Sequence, residues 1–166
     1  LDEADWAGAL ELVKGAAERK LAPPIVTERT RAALLAAQAA AFEHSPEPRA
    51  RDQALDCALE AAKLKPGFAP GVVMAARLLA EDGKTGRAAG LIEAAWKASP
   101  HPALWLACRD LETHETPLQR ASRLEALAAL NPGHRESRQP DYDDGQVGVR
   151  GAVQIADVVP VPRDQS

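Results

Sequence analysis

The sequence predicts an all-α superhelix of about three stacked helix pairs, followed by a non-helical extended tail. Composition is the first observation. Hydrophobic residues make up 46% of the 166 residues but aromatic residues only 4%, so the apolar content is mainly Ala and Leu, the side chains with the highest helix propensity. The second is punctuation: Lys20 to Pro24, Leu64-Lys65-Pro66-Gly67, Ala98-Ser99-Pro100-His101 and Leu130-Asn131-Pro132-Gly133 each close a helical stretch with proline, which cannot continue a helix. The third is a change of period near Arg138. Beyond it Val147, Val149, Val153, Ile155, Val159 and Val161 alternate as extended chain does. The expected division is a helical repeat domain over residues 1–137 and a tail over residues 138–166.

The helices follow in order. Asp5-Trp6-Ala7-Gly8-Ala9-Leu10-Glu11 opens the first, which reads as the second helix of a pair, with Ala9 and Ala16 on one face. Since the chain begins at Leu1 without Met, it is expected to be a fragment or a processed form. The first full pair is expected over 27 to 42 and 49 to 64, joined by His44-Ser45-Pro46-Glu47-Pro48. The next covers 70 to 81 and 85 to 99. Its turn is Asp82-Gly83-Lys84, with Gly83 suited to the left-handed position after a helix, and its apolar stripes are Val72, Val73, Ala76, Leu79 and Ala80, then Ala88, Leu91, Ile92, Ala95 and Trp96. A third pair starts near Pro102, breaks at Thr116-Pro117 and resumes from Leu118 to Leu130. No helix here can bury its stripe alone, so each pair must stack on the next.

A period supports the stacking. Pro66 and Pro100 are 34 residues apart, as are Ala54 and Ala88, and Ala61 and Ala95. These small, small and proline positions resemble those of tetratricopeptide repeats. The large residue of that family's second helix is Ile92 in one copy and only Ala58 in the other, and Val72, Ala75 and Ala76 replace its Trp-Leu-Gly signature. Longer phrases, Asp5-Trp6-Ala7-Gly8-Ala9-Leu10, Ala75-Ala76-Arg77-Leu78-Leu79-Ala80-Glu81-Asp82-Gly83-Lys84, Ala94-Ala95-Trp96-Lys97-Ala98-Ser99-Pro100-His101-Pro102, and Arg120 to Leu127 leading to Asn131-Pro132-Gly133-His134, resemble the repeat domain of proteobacterial HemY-type proteins. That resemblance spans residues 1 to about 138. It implies a bacterial inner-membrane protein held by an N-terminal anchor outside this chain, with its soluble domain on the cytoplasmic side. It also implies an association with haem biosynthesis that is not a defined catalysis. The family would continue after Arg138 with another amphipathic helix; Gln139-Pro140-Asp141 departs from it.

Charge and motifs narrow the function classes. Lys and Arg number 20 against 24 Asp and Glu, for a net charge of −4, which a phosphate backbone would repel. Arg29, Arg31, Arg49 and Arg51 approach a basic stripe but carry no interleaved aromatic residues, so no nucleic-acid partner is predicted. Cys57 and Cys108 lack CxxC spacing and read as small buried hydrophobes, with one disulfide the alternative. No apolar run reaches the roughly 18 residues a membrane span needs. The four histidines are His44, His101, His114 and His134; three of them sit in or beside proline turns, and none has a second histidine at ligand spacing. Gly83-Lys84-Thr85-Gly86 lacks the leading glycine of a phosphate loop, and Asp141, Asp143, Asp144 and Gly145 lack the closing Glu of a calcium loop.

What remains is a surface. The sequence predicts a non-catalytic scaffold for protein partners, with no cofactor and no metal, whose first helices line the concave side. Arg31, Gln38, Arg77, Glu81 and Arg109 are the candidate contacts. Arg77 and Glu81, four apart, are equally readable as a local helix pair. Two other readings stand beside this one: direct haem or porphyrin binding, with His101 as the iron ligand to test, and self-assembly through the Val-rich tail. That tail reads either as a flexible end or as an extended arm that adds to another chain.

Overall fold

A computed structural model describes residues 5–138. Among them are eight helices and no strand: α1 Trp6–Glu18, α2 Pro24–Glu43, α3 Ala50–Leu64, α4 Ala69–Glu81, α5 Thr85–Ala98, α6 Pro102–Arg109, α7 Pro117–Ala129 and the single turn α8 Arg135–Arg138. The fold is all-α as expected. The Val-rich tail of residues 139–166, with its two readings, lies outside the described residues.

Local chemistry sets the helix ends. Asp5 caps α1 by accepting the Gly8 N–H at 2.8 Å. Pro24, Pro70, Pro102 and Pro117 stand in first turns, where a missing N–H costs nothing. Thr116 and Gln119 form a reciprocal capping box at α7, each satisfying a donor that the helix leaves unpaired. Helices α1 and α4 finish alike. The Leu21 N–H reaches Ala16 O at 2.9 Å and the Lys84 N–H reaches Leu79 O at 2.8 Å, the six-to-one closure that needs a left-handed residue in between. Gly83 fills that place with φ 74°, as the sequence predicts, but Lys20 fills the other with φ 53°, a conformation costly for a residue bearing Cβ.

Packing repeats along the chain. Within pairs α2 meets α3, α4 meets α5 and α6 meets α7; between pairs α3 meets α4, α5 meets α6, and the first helices α2, α4 and α6 touch in succession. The alanine positions spaced by 34 residues sit in the interior: Ala54 and Ala61 of α3 are both 0% exposed, and Ala88 and Ala95 of α5 are 0% and 1%. Ala58 and Ile92, between them, are also fully buried. Helices α3 and α5 thus turn equivalent faces inward. Around α5 the core thickens, with Val72, Leu79, Ile92, Leu104, Cys108 and Leu127 gathered about Trp96, whose ring centroid lies 5.9 Å from that of Trp105.

One approach leaves no room for a side chain. A Cβ built on Gly71 of α4 would stand 2.9 Å from the Ala61 Cβ of α3, closer than real Cβ atoms come, so glycine is required where these helices cross.

One expectation is corrected. The first helix of the third pair stops at Arg109 instead of running to Thr116-Pro117. The Arg123 guanidinium of α7 donates to the Cys108 carbonyl, the acceptor that residue 112 would use in a longer helix. The chain then turns, burying Leu111, while Arg123 also grips Glu115 through Nε at 2.8 Å. The two cysteines are free thiols, Cys57 half-buried and Cys108 buried, in keeping with their reading as small hydrophobes rather than with the disulfide alternative. Burial pushes the Cys108 thiol up to about 11, which leaves it unreactive near neutral pH.

The Gly71 crossing makes a sharp prediction. Gly71→Ala should destabilise by about 1–3 kcal/mol through overpacking, although a helical Gly→Ala change ordinarily stabilises. Gly90→Ala in α5, where a new Cβ meets nothing within 4 Å, should stabilise by about 0.5–1 kcal/mol. Urea unfolding midpoints of the two variants should therefore move in opposite directions. At the end of α1, Lys20→Gly should raise the melting temperature by relieving the left-handed residue, a gain of about 1 kcal/mol.

Candidate functional site

The five candidate contacts all lie on first helices, as expected, but the fold puts most of them to work between helices. Arg31 of α2 donates to Glu60 of α3 at 2.7 Å. Gln38 turns its side-chain carbonyl to the Cys57 thiol of α3, with sulfur 3.6 Å away. Arg109 chelates its neighbour Asp110 at 2.7 and 3.1 Å. Arg77 and Glu81 form the local pair at 2.9 Å, and that pair extends into a network.

The network joins three helices at one edge of the stack. Arg77 also binds Glu43 near the end of α2. Glu81 accepts from Arg51 of α3 at 2.9 Å, and Arg51 continues to Asp82 at 3.0 Å and to the Leu78 carbonyl at 3.4 Å. Lys84 stands 3.4 Å from Asp82. Three cations face three anions, so the cluster is neutral within itself. The hydrogen bond from Arg51 comes first among the causes that hold the Glu81 and Asp82 carboxyls below their usual range, and Arg123 does the same for Glu115. Each is partly or fully open to solvent, where such pairs contribute little singly. As a set they fix the register of α2, α3 and α4.

Arg77 also borders an opening. Between α4 and the start of α6 runs a groove of about 260 Å³, lined by the apolar Ala69, Pro70, Val73 and Met74 of α4 and Ala103 of α6 and by the exposed Arg77 and His101. Val73 and Met74 are half-buried. Helical phasing explains them: Val72 one residue earlier is 1% exposed and faces the core, while Val73 is turned by about 100° toward the adjoining first helix. The sequence stripe that grouped Val73 with Val72 held the signal for the groove without separating it from the core. Glu43, Arg51 and Asp82 carried no such signal, since their partners are remote in sequence.

His101 is committed to structure. It is the N-cap of α6, and its Nδ1 accepts the Ala103 N–H at 3.1 Å. In the neutral ring Nε2 then carries the proton, so a metal at Nε2 would require the other tautomer and the loss of the cap. At about 260 Å³ the groove is also below the roughly 300–1,000 Å³ typical of sites that enclose a small ligand. Among the described residues no three His, Cys, Asp or Glu side chains gather as a metal site would demand, and no helix is long and apolar enough to cross a membrane. What the groove can do is take one or two apolar side chains from an extended segment, with hydrogen-bonding groups at its edge.

The acid response of the network is testable. Glu81 has a lowered folded-state pKa, so its contribution is complete above the ordinary carboxylate pKa of about 4.3 and is lost as pH falls through the folded value below it. Glu81→Gln should lower the urea midpoint at pH 7 and flatten its decline below about pH 5. Equal acid slopes in the two chains would remove Glu81 from the network.

No family model, curated protein or solved structure matches this chain.

Proposed function

We propose that this chain is a non-catalytic scaffold of tetratricopeptide type, which holds a protein partner on the first-helix side of its stacked pairs. The observation that carries the reading is the groove between α4 and α6, whose lining joins the half-buried apolar Val73, Met74 and Ala103 and the exposed Pro70 to the exposed polar Arg77 and His101. The recurring order of packing and the buried small residues 34 apart support a superhelix of that type. In such stacks adjacent first helices form one continuous face, on which a segment of another chain can lie with its apolar side chains in the gaps.

The resemblance to HemY-type proteins supplies the setting. In it the partners are enzymes of haem biosynthesis, and the scaffold stands on the cytoplasmic side of a bacterial inner membrane, tethered by a segment outside this chain. The capping role of His101 weighs against haem itself as the cargo.

Selection of short random peptides against the purified chain tests the groove. Enriched peptides are expected to carry a large apolar residue, and the double variant Val73→Thr with Met74→Gln should weaken them about tenfold or more, because apolar anchors dominate such interfaces. Its melting temperature serves as the folding control. Undiminished binding by that variant would remove the groove from the proposal. A haemin titration is expected to show no Soret shift that depends on His101; a shift abolished by His101→Ala would favour haem binding instead.

A further inference from the structure

We propose that α1 is a self-association surface, pairing antiparallel with α1 of a second copy of this chain about an axis at Leu12. The helix packs principally on α2, with Leu10 set against Leu35 and Ala36, and none of its residues is fully buried. Its other side forms an open groove of about 570 Å³ lined by Asp5, Gly8, Ala9, Glu11, Leu12 and Arg19. Leu12, in the middle of that side, is 73% exposed.

Asp5, Gly8, Leu12, Gly15 and Arg19 succeed one another in steps of three and four, the spacing that keeps a stripe facing one neighbouring helix. The charges lie on the stripe itself: the Asp5 carboxylate folds over Gly8 and the Arg19 guanidinium lies over Gly15. Asp5 holds the Gly8 N–H and Arg19 holds the Gly15 carbonyl, each through a single side-chain atom. Neither has an oppositely charged partner among the described residues, whereas Glu11 in the same groove is balanced by Lys14 at 3.7 Å.

Two opposite charges fourteen positions apart are roughly 21 Å apart along a helix, too far to meet within α1. Leu12 is midway between them. Turning a second α1 over about Leu12 brings Asp5 of each copy opposite Arg19 of the other and sets the two Leu12 side chains together at the axis. Such an interface is isologous, each copy offering the same surface, and the two unmet charges satisfy one another without any third group. A parallel arrangement would set Asp5 on Asp5 and Arg19 on Arg19. A single helix pair buries less than a standard stable interface, so the dimer is a weak one that forms reversibly.

Sedimentation equilibrium on the 166-residue chain decides the matter. Between about 10 µM and about 1 mM the mass should rise from one 17.6 kDa chain toward two. Leu12→Glu should stay at one-chain mass throughout, with unchanged helicity because Leu12 is exposed. Arg19→Glu and Asp5→Lys each juxtapose like charges in a homodimer and should each be monomeric, while an equimolar mixture restores both pairs and should regain the two-chain mass. Should Asp5→Lys lose helicity through its missing cap, Leu12→Glu and Arg19→Glu still decide the outcome. An unsubstituted chain that remains at one-chain mass, as expected if another molecule covers α1, overturns the proposal. So does a dimer that survives Leu12→Glu.

Discussion

The constraint on which the stacking of this fold depends is the crossing of α3 and α4 at Ala61 and Gly71, where a single added methyl group would have no space. With side chains this small at the seam, the backbones themselves set the distance between helices, and dense packing follows without large apolar groups. The same logic runs through Ala54, Ala58, Ala75 and Ala88, all fully buried. A chain with so few aromatic residues can form a continuous interior because its helices approach closely enough for alanine to fill the gap.

That seam also governs the surface. Once α2, α3 and α4 are drawn together, the ends of their long charged side chains come within reach of one another, and Arg51, Arg77 and Lys84 join Glu43, Glu81 and Asp82 into one neutral edge. Charges that look available along a single helix are therefore engaged between helices. The opening beside that edge is more apolar than a count of exposed arginines suggests: it is the shallow groove where Val73 and Met74 meet Ala103 and His101.

The two ends of the stack are built differently. Around Trp96 the interior holds large side chains, and Arg123 with Glu115 draws α7 against the end of α6. At α1 no residue is fully buried, and Leu12 stands out in solvent between Asp5 and Arg19, neither of which has an oppositely charged partner among the described residues.

Much of the architecture is legible in the residues alone. Proline turns, alanine-rich stripes and the 34-residue spacing of Ala54, Ala61 and Pro66 with Ala88, Ala95 and Pro100 determine where helices begin and end and which faces turn inward, because helix termination and amphipathic phase are local properties of the chain. Gly83 in its left-handed turn belongs with them. The tertiary structure alone decided the rest: that α6 ends at Arg109, where Arg123 captures the Cys108 carbonyl, that Gly71 faces Ala61 too closely to carry a side chain, and that Arg31, Gln38 and Glu81 bond to α3. Each of these depends on groups distant in sequence meeting in space, and no local periodicity encodes that meeting.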